Sequence, residues 1–166
     1  ATMEKSTASR VLLTLFRILF TLFVLWTILF IFHNSLESGV LSSARSQAVT
    51  AAVNQHLGRV GLSPLSNALV RKLAHFGEYL LLGFGYTLCL RVYTRRYIRH
   101  ISWPLLLGLL VANVDETLQC YVAGRSSSLR DVWIDFAGCG CGVAAALCAL
   151  VLIGGLLSLA GFGRKG

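Results

Sequence analysis

The stretch VANVDETLQCYVAGRSSSLRDVWIDFAGCGCG, from Val111 to Gly142, joins two strongly apolar segments and carries most of the acidic residues of the chain. The 166-residue sequence has seven Asp and Glu residues, and four of them fall here: Asp115, Glu116, Asp131 and Asp135. Two more, Glu37 and Glu78, lie at the ends of the other two apolar segments. A hydrophobic protein that concentrates its acids in this way is predicted to have one polar site, with the apolar segments arranged around it.

The composition favours an integral membrane protein over a soluble one. Aliphatic, aromatic and cysteine residues make up 55% of the chain, and such a share is typical of membrane proteins. The net charge of +8 is first an orientation signal in a membrane protein. No basic stripe alternates with aromatic residues as single-strand binders need, so we expect no nucleic-acid partner. The length predicts one domain over residues 1–166.

Four apolar segments predict four transmembrane helices, at about residues 11–32, 73–90, 101–122 and 129–152. Ser128, followed three residues later by Asp131, matches a capping box and places the start of the fourth helix near Leu129. A short helix at about residues 42–57, with Ser42 as a candidate N-cap, is expected to lie on the membrane surface. The predicted fold class is an all-α integral membrane protein, with four transmembrane helices in an antiparallel bundle and this interfacial helix between the first two.

Charged residues predict the orientation of the helices. The loop between the second and third segments carries four arginines and no acid: Arg91, Arg95, Arg96 and Arg99. The positive-inside rule puts this loop in the cytoplasm. Four spans then place both termini inside, which suits Lys5, Arg10, Arg164 and Lys165. Four basic residues argue against this orientation, because they lie in the long connection between the first two segments, which would face outward: Arg45, Arg59, Arg71 and Lys72.

This topology would bring the polar residues to one membrane level, at the outer ends of the four helices. His75 and Glu78 would share a helix face with Arg71, and two i, i+4 pairs would each point in one direction: Asp115 with Gln119, and Asp131 with Asp135. Ionisable groups inside a membrane are costly, so they pair, line a wet cavity or stay protonated. We predict an acidic cavity open to the outside. The alternative is a set of structural pairs, such as Arg71 with Glu78 and Arg125 with Asp131.

Two stretches carry a family resemblance. RKLAHFGEYLLLGFG (Arg71 to Gly85) and the DETLQCYVAGRSSSLRDVWIDFAGCGCG part of the quoted stretch resemble the VanZ-like family, whose pattern is RK-x-AHF-x-EY, then DE-x-x-Q, then G-R and D-x-x-x-D leading to small residues. FHNSLESG, which begins at Phe32, is similar to the F-x-x-S region of that family. The resemblance implies a small protein of the bacterial cytoplasmic (inner) membrane, associated with glycopeptide (teicoplanin) resistance. It implies no defined biochemical activity.

The first of three functional hypotheses is a cell-envelope protein that binds or modifies a membrane lipid or a lipid-linked cell-wall intermediate. The candidate catalytic residues are His75, Glu78, Asp115, Glu116, Gln119, Asp131 and Asp135, with His75 or Glu78 as general base. The candidate substrate contacts are Arg71, Arg125, Arg130, Tyr79 and Ser35, with Arg125 on a phosphate. A divalent cation such as Mg²⁺ is the candidate cofactor, with these carboxylates as ligands: Asp131, Asp135, Asp115 and Glu116.

The second hypothesis is a small proton-coupled lipid transporter or flippase, in which the buried acids relay protons. The third is a non-catalytic accessory protein that binds a lipoglycopeptide or another partner. The sequence decides neither whether the protein is an enzyme nor which oligomer it forms. Cys139 and Cys141 form a C-x-C motif. It could bind a soft metal ion, but we favour the interpretation that both cysteines are small apolar packing residues.

Overall fold

Five α-helices and one short 3₁₀ turn make up the computed structural model, which describes residues 2–159, and the side chains of residues 7–157 among them. The helices are α1 (Thr2–Leu36), α2 (Gly39–Arg59), α3 (Asn67–Tyr93), α4 (Ser102–Cys120) and α5 (Leu129–Leu159), and the 3₁₀ turn is Tyr97–His100. No strand occurs in this part of the chain. The all-α expectation is therefore confirmed. Arg164 and Lys165, used above for orientation, lie outside the described residues, as does the Lys5 side chain.

Serine side chains cap the starts of α2 and α5. Ser38 Oγ accepts from the Leu41 N–H, so α2 begins at Gly39, earlier than the expected residue 42. The Ser42 N-cap prediction is wrong, because this serine lies inside the helix and its hydroxyl accepts from an arginine instead. The prediction at Ser128 is right: its hydroxyl accepts from the Asp131 N–H at 3.2 Å, and α5 begins at Leu129.

Three helical segments within residues 2–159 are long and apolar enough to cross a membrane by length and composition: Thr7–Leu36, Tyr97–Cys120 and Leu129–Leu157. Helix α3 is not among them. Its 27 residues would reach about 40 Å at 1.5 Å per residue, but its first turns carry four ionisable residues: Arg71, Lys72, His75 and Glu78. Length alone would therefore let α3 cross a bilayer, while composition alone does not identify it.

Helix α3 lies at the centre of the bundle and contacts all four other helices. Helix α1 runs opposite to it, since Asn34 bonds Glu78 at one end of the pair and Arg17 Nε donates to the Val92 carbonyl at the other. Helix α5 runs in the same direction as α3. Gly138 lies on the backbone of Phe76, and four residues later in both helices Gly142 lies on the backbone of Leu80.

Small residues let α3 and α5 approach closely. A Cβ added at Gly138 would lie 2.5 Å from the Phe76 carbonyl oxygen. Gly142 lies against the Leu80 carbonyl in the same way, and Gly83 of α3 lies against the Cys139 carbonyl of α5. Such small-residue contacts are typical of helix pairs in membranes. Cys139 is fully buried in this contact whereas Cys141 is exposed, so the packing interpretation of the C-x-C applies to Cys139.

Two glycines join the α1–α2 corner to the loop between α4 and α5. The Gly39 N–H donates to the Ala123 carbonyl at 3.1 Å. Gly124 has a φ of 76°, a left-handed conformation that favours glycine, and its backbone leaves no room for a side chain on Gly39. This close approach brings Arg125 against the end of α1.

Candidate functional site

A cavity of about 200 Å³ lies between α3, α4 and α5 at the end of the bundle where α4 stops and α5 starts. Its polar lining comes from all three helices: Arg71, Lys72 and His75 of α3, Glu116 and Gln119 of α4, and Asp131 and Asp135 of α5. We call this space the inner cavity. Cations and acids share its wall, so its charge is mixed and not purely acidic.

Three ionisable side chains from three helices meet beside the inner cavity. One candidate ligand atom from each of His75, Asp115 and Asp135 lies within 4.8 Å of the other two. Asp115 and Asp135 are 0% and 1% exposed. His75 Nδ1, Asp115 Oδ1 and Asp135 Oδ2 are buried and find no hydrogen-bond partner in the part of the chain that the structure describes. We call these three residues the triad. The expected meeting of the second, third and fourth apolar segments takes place here.

Glu116 and Asp131 are occupied by the cap of α5. The Ser128 N–H donates to Glu116 Oε2 and the Ser128 hydroxyl donates to Asp131 Oδ2, each at 2.9 Å. Lys72 Nζ lies 3.6 Å from the other Asp131 oxygen. These bonds attach the start of α5 to α3 and α4. Of the four carboxylates predicted as metal ligands, the structure brings only Asp115 and Asp135 into one donor group, and it adds His75.

A second cavity, of about 360 Å³, lies on the other side of α3, toward α1 and α2. Arg71 and His75 border both cavities, and Glu78 borders this one, so the predicted common face of these residues is observed. Asn34 Nδ2 donates to Glu78 Oε1 at 2.9 Å, while Glu78 Oε2 is buried without a partner among the described residues. We call this space the outer cavity.

The Arg125 side chain donates hydrogen bonds to backbone carbonyls at the end of α1. Its Nη1 donates to the carbonyls of Asn34 and Ser35, both at 2.8 Å, and its Nη2 donates to the Ser42 hydroxyl at 3.2 Å. Burial, followed by the nearby Arg71 cation, lowers the pKa of Arg125 from its ordinary value. A guanidinium stays charged even so. The proposed Arg125–Asp131 and Arg71–Glu78 pairs do not occur in the described chain, where the ion pairs are Arg45–Glu37 and Lys72–Asp131.

Three of the predicted substrate contacts, Ser35, Tyr79 and Arg130, line neither of these cavities. Ser35 is fully buried, and its hydroxyl accepts from Gln119 Nε2 at 3.2 Å. The same Gln119 nitrogen lies 3.3 Å from Asp115 Oδ2 and donates to it. Tyr79 is fully buried in the hydrophobic core. Arg130 is exposed on the first turn of α5.

Sequence reasoning did not identify Lys72 as part of the site. Lys72 follows Arg71 directly, so on a helix the two side chains point about 100° apart, and the pairing of one residue does not predict the pairing of the next. The sequence assigns Lys72 only an orientation signal and a place in the RK-x-AHF-x-EY resemblance, whereas it makes Arg71 a candidate substrate contact as well. The signal that could have identified Lys72 is its spacing of three residues from His75, which places both on neighbouring helix positions.

Arg71 is the cation best placed for a ligand. It borders both cavities and has no hydrogen bond or ion pair within the described residues. A free guanidinium offers a planar fork of donors that matches a phosphate or carboxylate. The site therefore combines an available anion-binding group with a buried triad that includes two carboxyl groups.

In the comparison with protein families, the family model described as VanZ/LLP1 matches residues 11–153, which is most of the chain. Neither the curated proteins nor the solved structures contain a match to this chain.

Proposed function

This chain belongs to the VanZ/LLP1 family, and on that premise we propose that it is a bacterial inner-membrane protein of the cell envelope that binds a phosphate-bearing lipid or lipid-linked substrate from the extracytoplasmic side. The observation that carries the proposal is the unpaired Arg71 guanidinium, which borders both polar cavities of a helical bundle with three membrane-length apolar helices. Teicoplanin resistance would then be an effect of holding or altering an envelope lipid.

The topology that we propose has four spans: the three apolar helical segments named above and, in addition, α3. Three observations support it: α1 and α3 run in opposite directions, α3 and α5 run in the same direction, and α3 is long enough to cross. The arginine-rich segment between α3 and α4 would lie in the cytoplasm with both termini. The two cavities would then open on the outer side, at the opposite end of α3 from Arg91 and the arginine-rich segment that follows it.

Single-cysteine labelling tests this topology. In a variant without the five native cysteines, a cysteine introduced at Gln47 or Gln55 of α2 is expected to react with an impermeant maleimide in intact cells. A cysteine at Tyr97 is expected to react only after permeabilisation, because the positive-inside rule holds its loop in the cytoplasm. Labelling in the reverse order would contradict both the orientation and the outward cavities.

The sizes of the cavities favour a lipid headgroup as the ligand. The inner and outer cavities measure about 200 and 360 Å³, while sites for drug-sized molecules span roughly 300–1,000 Å³. A phosphate with part of its headgroup fits this space, whereas a whole lipoglycopeptide does not. Because the cavities lie between helix ends, the acyl or prenyl chain would remain outside them against the apolar helices.

The lipid proposal predicts that Arg71→Gln binds a phosphate lipid at least about tenfold more weakly, since a charge-assisted hydrogen bond contributes about 1.5–3 kcal/mol. The measurement is native mass spectrometry of the purified full chain with polyprenyl phosphate and, separately, with phosphatidylglycerol. These two arms distinguish a lipid-linked carrier from an ordinary phospholipid.

Two controls make the result specific. Arg59→Gln removes an exposed arginine that lines neither cavity, and it is expected to bind as the unaltered protein does. Binding of uncharged polyprenol measures how much the prenyl tail contributes to lipid binding without the phosphate. Equal binding of polyprenol and polyprenyl phosphate, or equal losses in the two arginine variants, would refute the proposal. Binding of teicoplanin alone would favour the accessory-protein alternative.

A further inference from the structure

We propose that the triad of His75, Asp115 and Asp135 binds a divalent transition-metal ion, with Zn²⁺ as the best match. The ion would lie at the buried wall of the inner cavity. The site does not depend on the lipid ligand proposed above, since it uses neither Arg71 nor Lys72.

The spacing of the triad supports this site. The three donor atoms lie within 4.8 Å of one another and come from α3, α4 and α5. Zinc binds nitrogen and carboxylate oxygen at about 2.0–2.2 Å in a tetrahedral arrangement, so small side-chain rotations toward a common centre would complete the three bonds. Donors on three separate helices also make the site depend on the folded bundle.

Unsatisfied donor atoms are the second, independent observation. The Asp135 carboxylate is 1% exposed, lines the inner cavity and has no hydrogen bond or ion pair among the described residues. Asp115 is 0% exposed and uses only one of its two oxygens, and His75 Nδ1 is also unpaired. A buried polar atom without a partner destabilises the fold, and more so if it is charged. One cation would satisfy an atom of each residue.

The chemistry of the donors selects the class of metal. Imidazole is a ligand for zinc and other transition metals, whereas Mg²⁺ takes oxygen ligands in near-octahedral geometry. Two carboxylates balance the double charge of the ion, which matters in a buried site. Three protein ligands would leave one position of a tetrahedral zinc site open, as in catalytic zinc centres.

Neighbouring hydrogen bonds orient one of the three ligands. Gln119 Nε2 donates to Asp115 Oδ2 and also to the Ser35 hydroxyl. This bond directs the unpaired Asp115 oxygen away from Gln119. Outer partners of this kind fix the direction of metal ligands in proteins. Glu116 and Asp131, by contrast, are held at Ser128.

The test is equilibrium dialysis of the EDTA-treated full chain in detergent against Zn²⁺, with the bound metal measured by mass spectrometry. We expect about one ion per chain. Asp135→Asn and His75→Gln are each expected to weaken binding by at least about tenfold, since even outer-shell changes cost 10–100-fold. Co²⁺ in place of Zn²⁺ is expected to give visible absorption that both variants lose.

Matched controls separate a ligand from a nearby charge. Asp131→Asn removes a carboxylate of the same helix and cavity, and His33→Gln removes an exposed histidine. Both are expected to bind Zn²⁺ within about twofold of the unaltered chain, because neither belongs to the triad. If one triad variant fails to fold, the other variant and the stoichiometry of the unaltered chain decide.

Three results would overturn the metal proposal: no Zn²⁺ bound to the unaltered chain, an equal loss in Asp131→Asn and Asp135→Asn, or Mg²⁺ displacing Zn²⁺ at equal concentration. None of these results touches the binding of polyprenyl phosphate at Arg71. Conversely, unchanged lipid binding in Arg71→Gln would leave the zinc stoichiometry as it is. The two proposals can therefore fail separately.

Discussion

Gly142→Ala is expected to destabilise the protein by about 1–3 kcal/mol or more, because overpacking a close contact costs this amount. The new methyl group would overlap the main chain of Leu80 and Phe84 in α3. Backbone, unlike the end of a flexible side chain, cannot rotate away, so α3 and α5 would have to separate. Gly83→Ala in α3 is expected to destabilise the protein in the same way, because its methyl group would overlap the Cys139 carbonyl of α5.

The measurement is the thermal unfolding midpoint of the purified protein in detergent. Gly140→Ala is the matched control, since this glycine lies in the same helix and a Cβ there would meet nothing within 4 Å. Its midpoint is expected to stay or to rise, because alanine is about 0.5–1 kcal/mol better than glycine inside a helix. Equal losses at Gly140 and Gly142 would show that the close α3–α5 contact is not what these glycines provide.

Arg125→Ala is expected to lower the free energy of unfolding by about 3 kcal/mol, since each hydrogen bond to a charged group contributes about 1.5–3 kcal/mol and the three bonds are not additive. The substitution leaves the carbonyls of Asn34 and Ser35 and the Ser42 hydroxyl without this donor. The end of α1, the start of α2 and the α4–α5 loop would lose their common attachment.

Denaturant unfolding in detergent measures this loss. Arg130→Ala, at an exposed arginine on the first turn of α5, is expected to change stability by less than about 0.5 kcal/mol. Arg125→Lys is expected to recover only part of the loss, because one ammonium cannot reproduce the planar fork. Full recovery by lysine would mean that the charge, and not the geometry of the donors, holds the corner.

Local patterns predicted the helices well. Apolar runs located α1, α4 and α5, and the Ser128–Asp131 spacing located the start of α5, because a cap depends on residues three positions apart. The error at α2 has the same origin. Ser38 and Ser42 are both suitable caps by type, and only the bond from Arg125 to Ser42, made across the fold, distinguishes them.

The candidate site was predicted in part, for a physical reason. Helix direction and the i, i+4 rule suffice to bring His75 near Asp115 and Asp135, because short loops bring helix ends together. The same reasoning cannot tell which acids are free. The Ser128–Asp131 spacing does show that Asp131 takes part in a cap, but Glu116 accepts from the Ser128 backbone N–H, and a bond to backbone leaves no mark in residue types. Arg125 was assigned to a phosphate for this reason, although its donors reach backbone carbonyls.

The position of α3 has a consequence for how the chain is made. Chains are synthesised from the N-terminus at about 5–20 residues per second, so α3 leaves the ribosome before the α5 backbone and glycines that it packs against. Its composition does not qualify it as a span by itself. On the proposed topology, the nascent α3 can pack at first only on α1 and α2, and its close backbone contact with α5 forms later. The bundle is then completed cooperatively once α5 has been made, and not by adding one helix at a time.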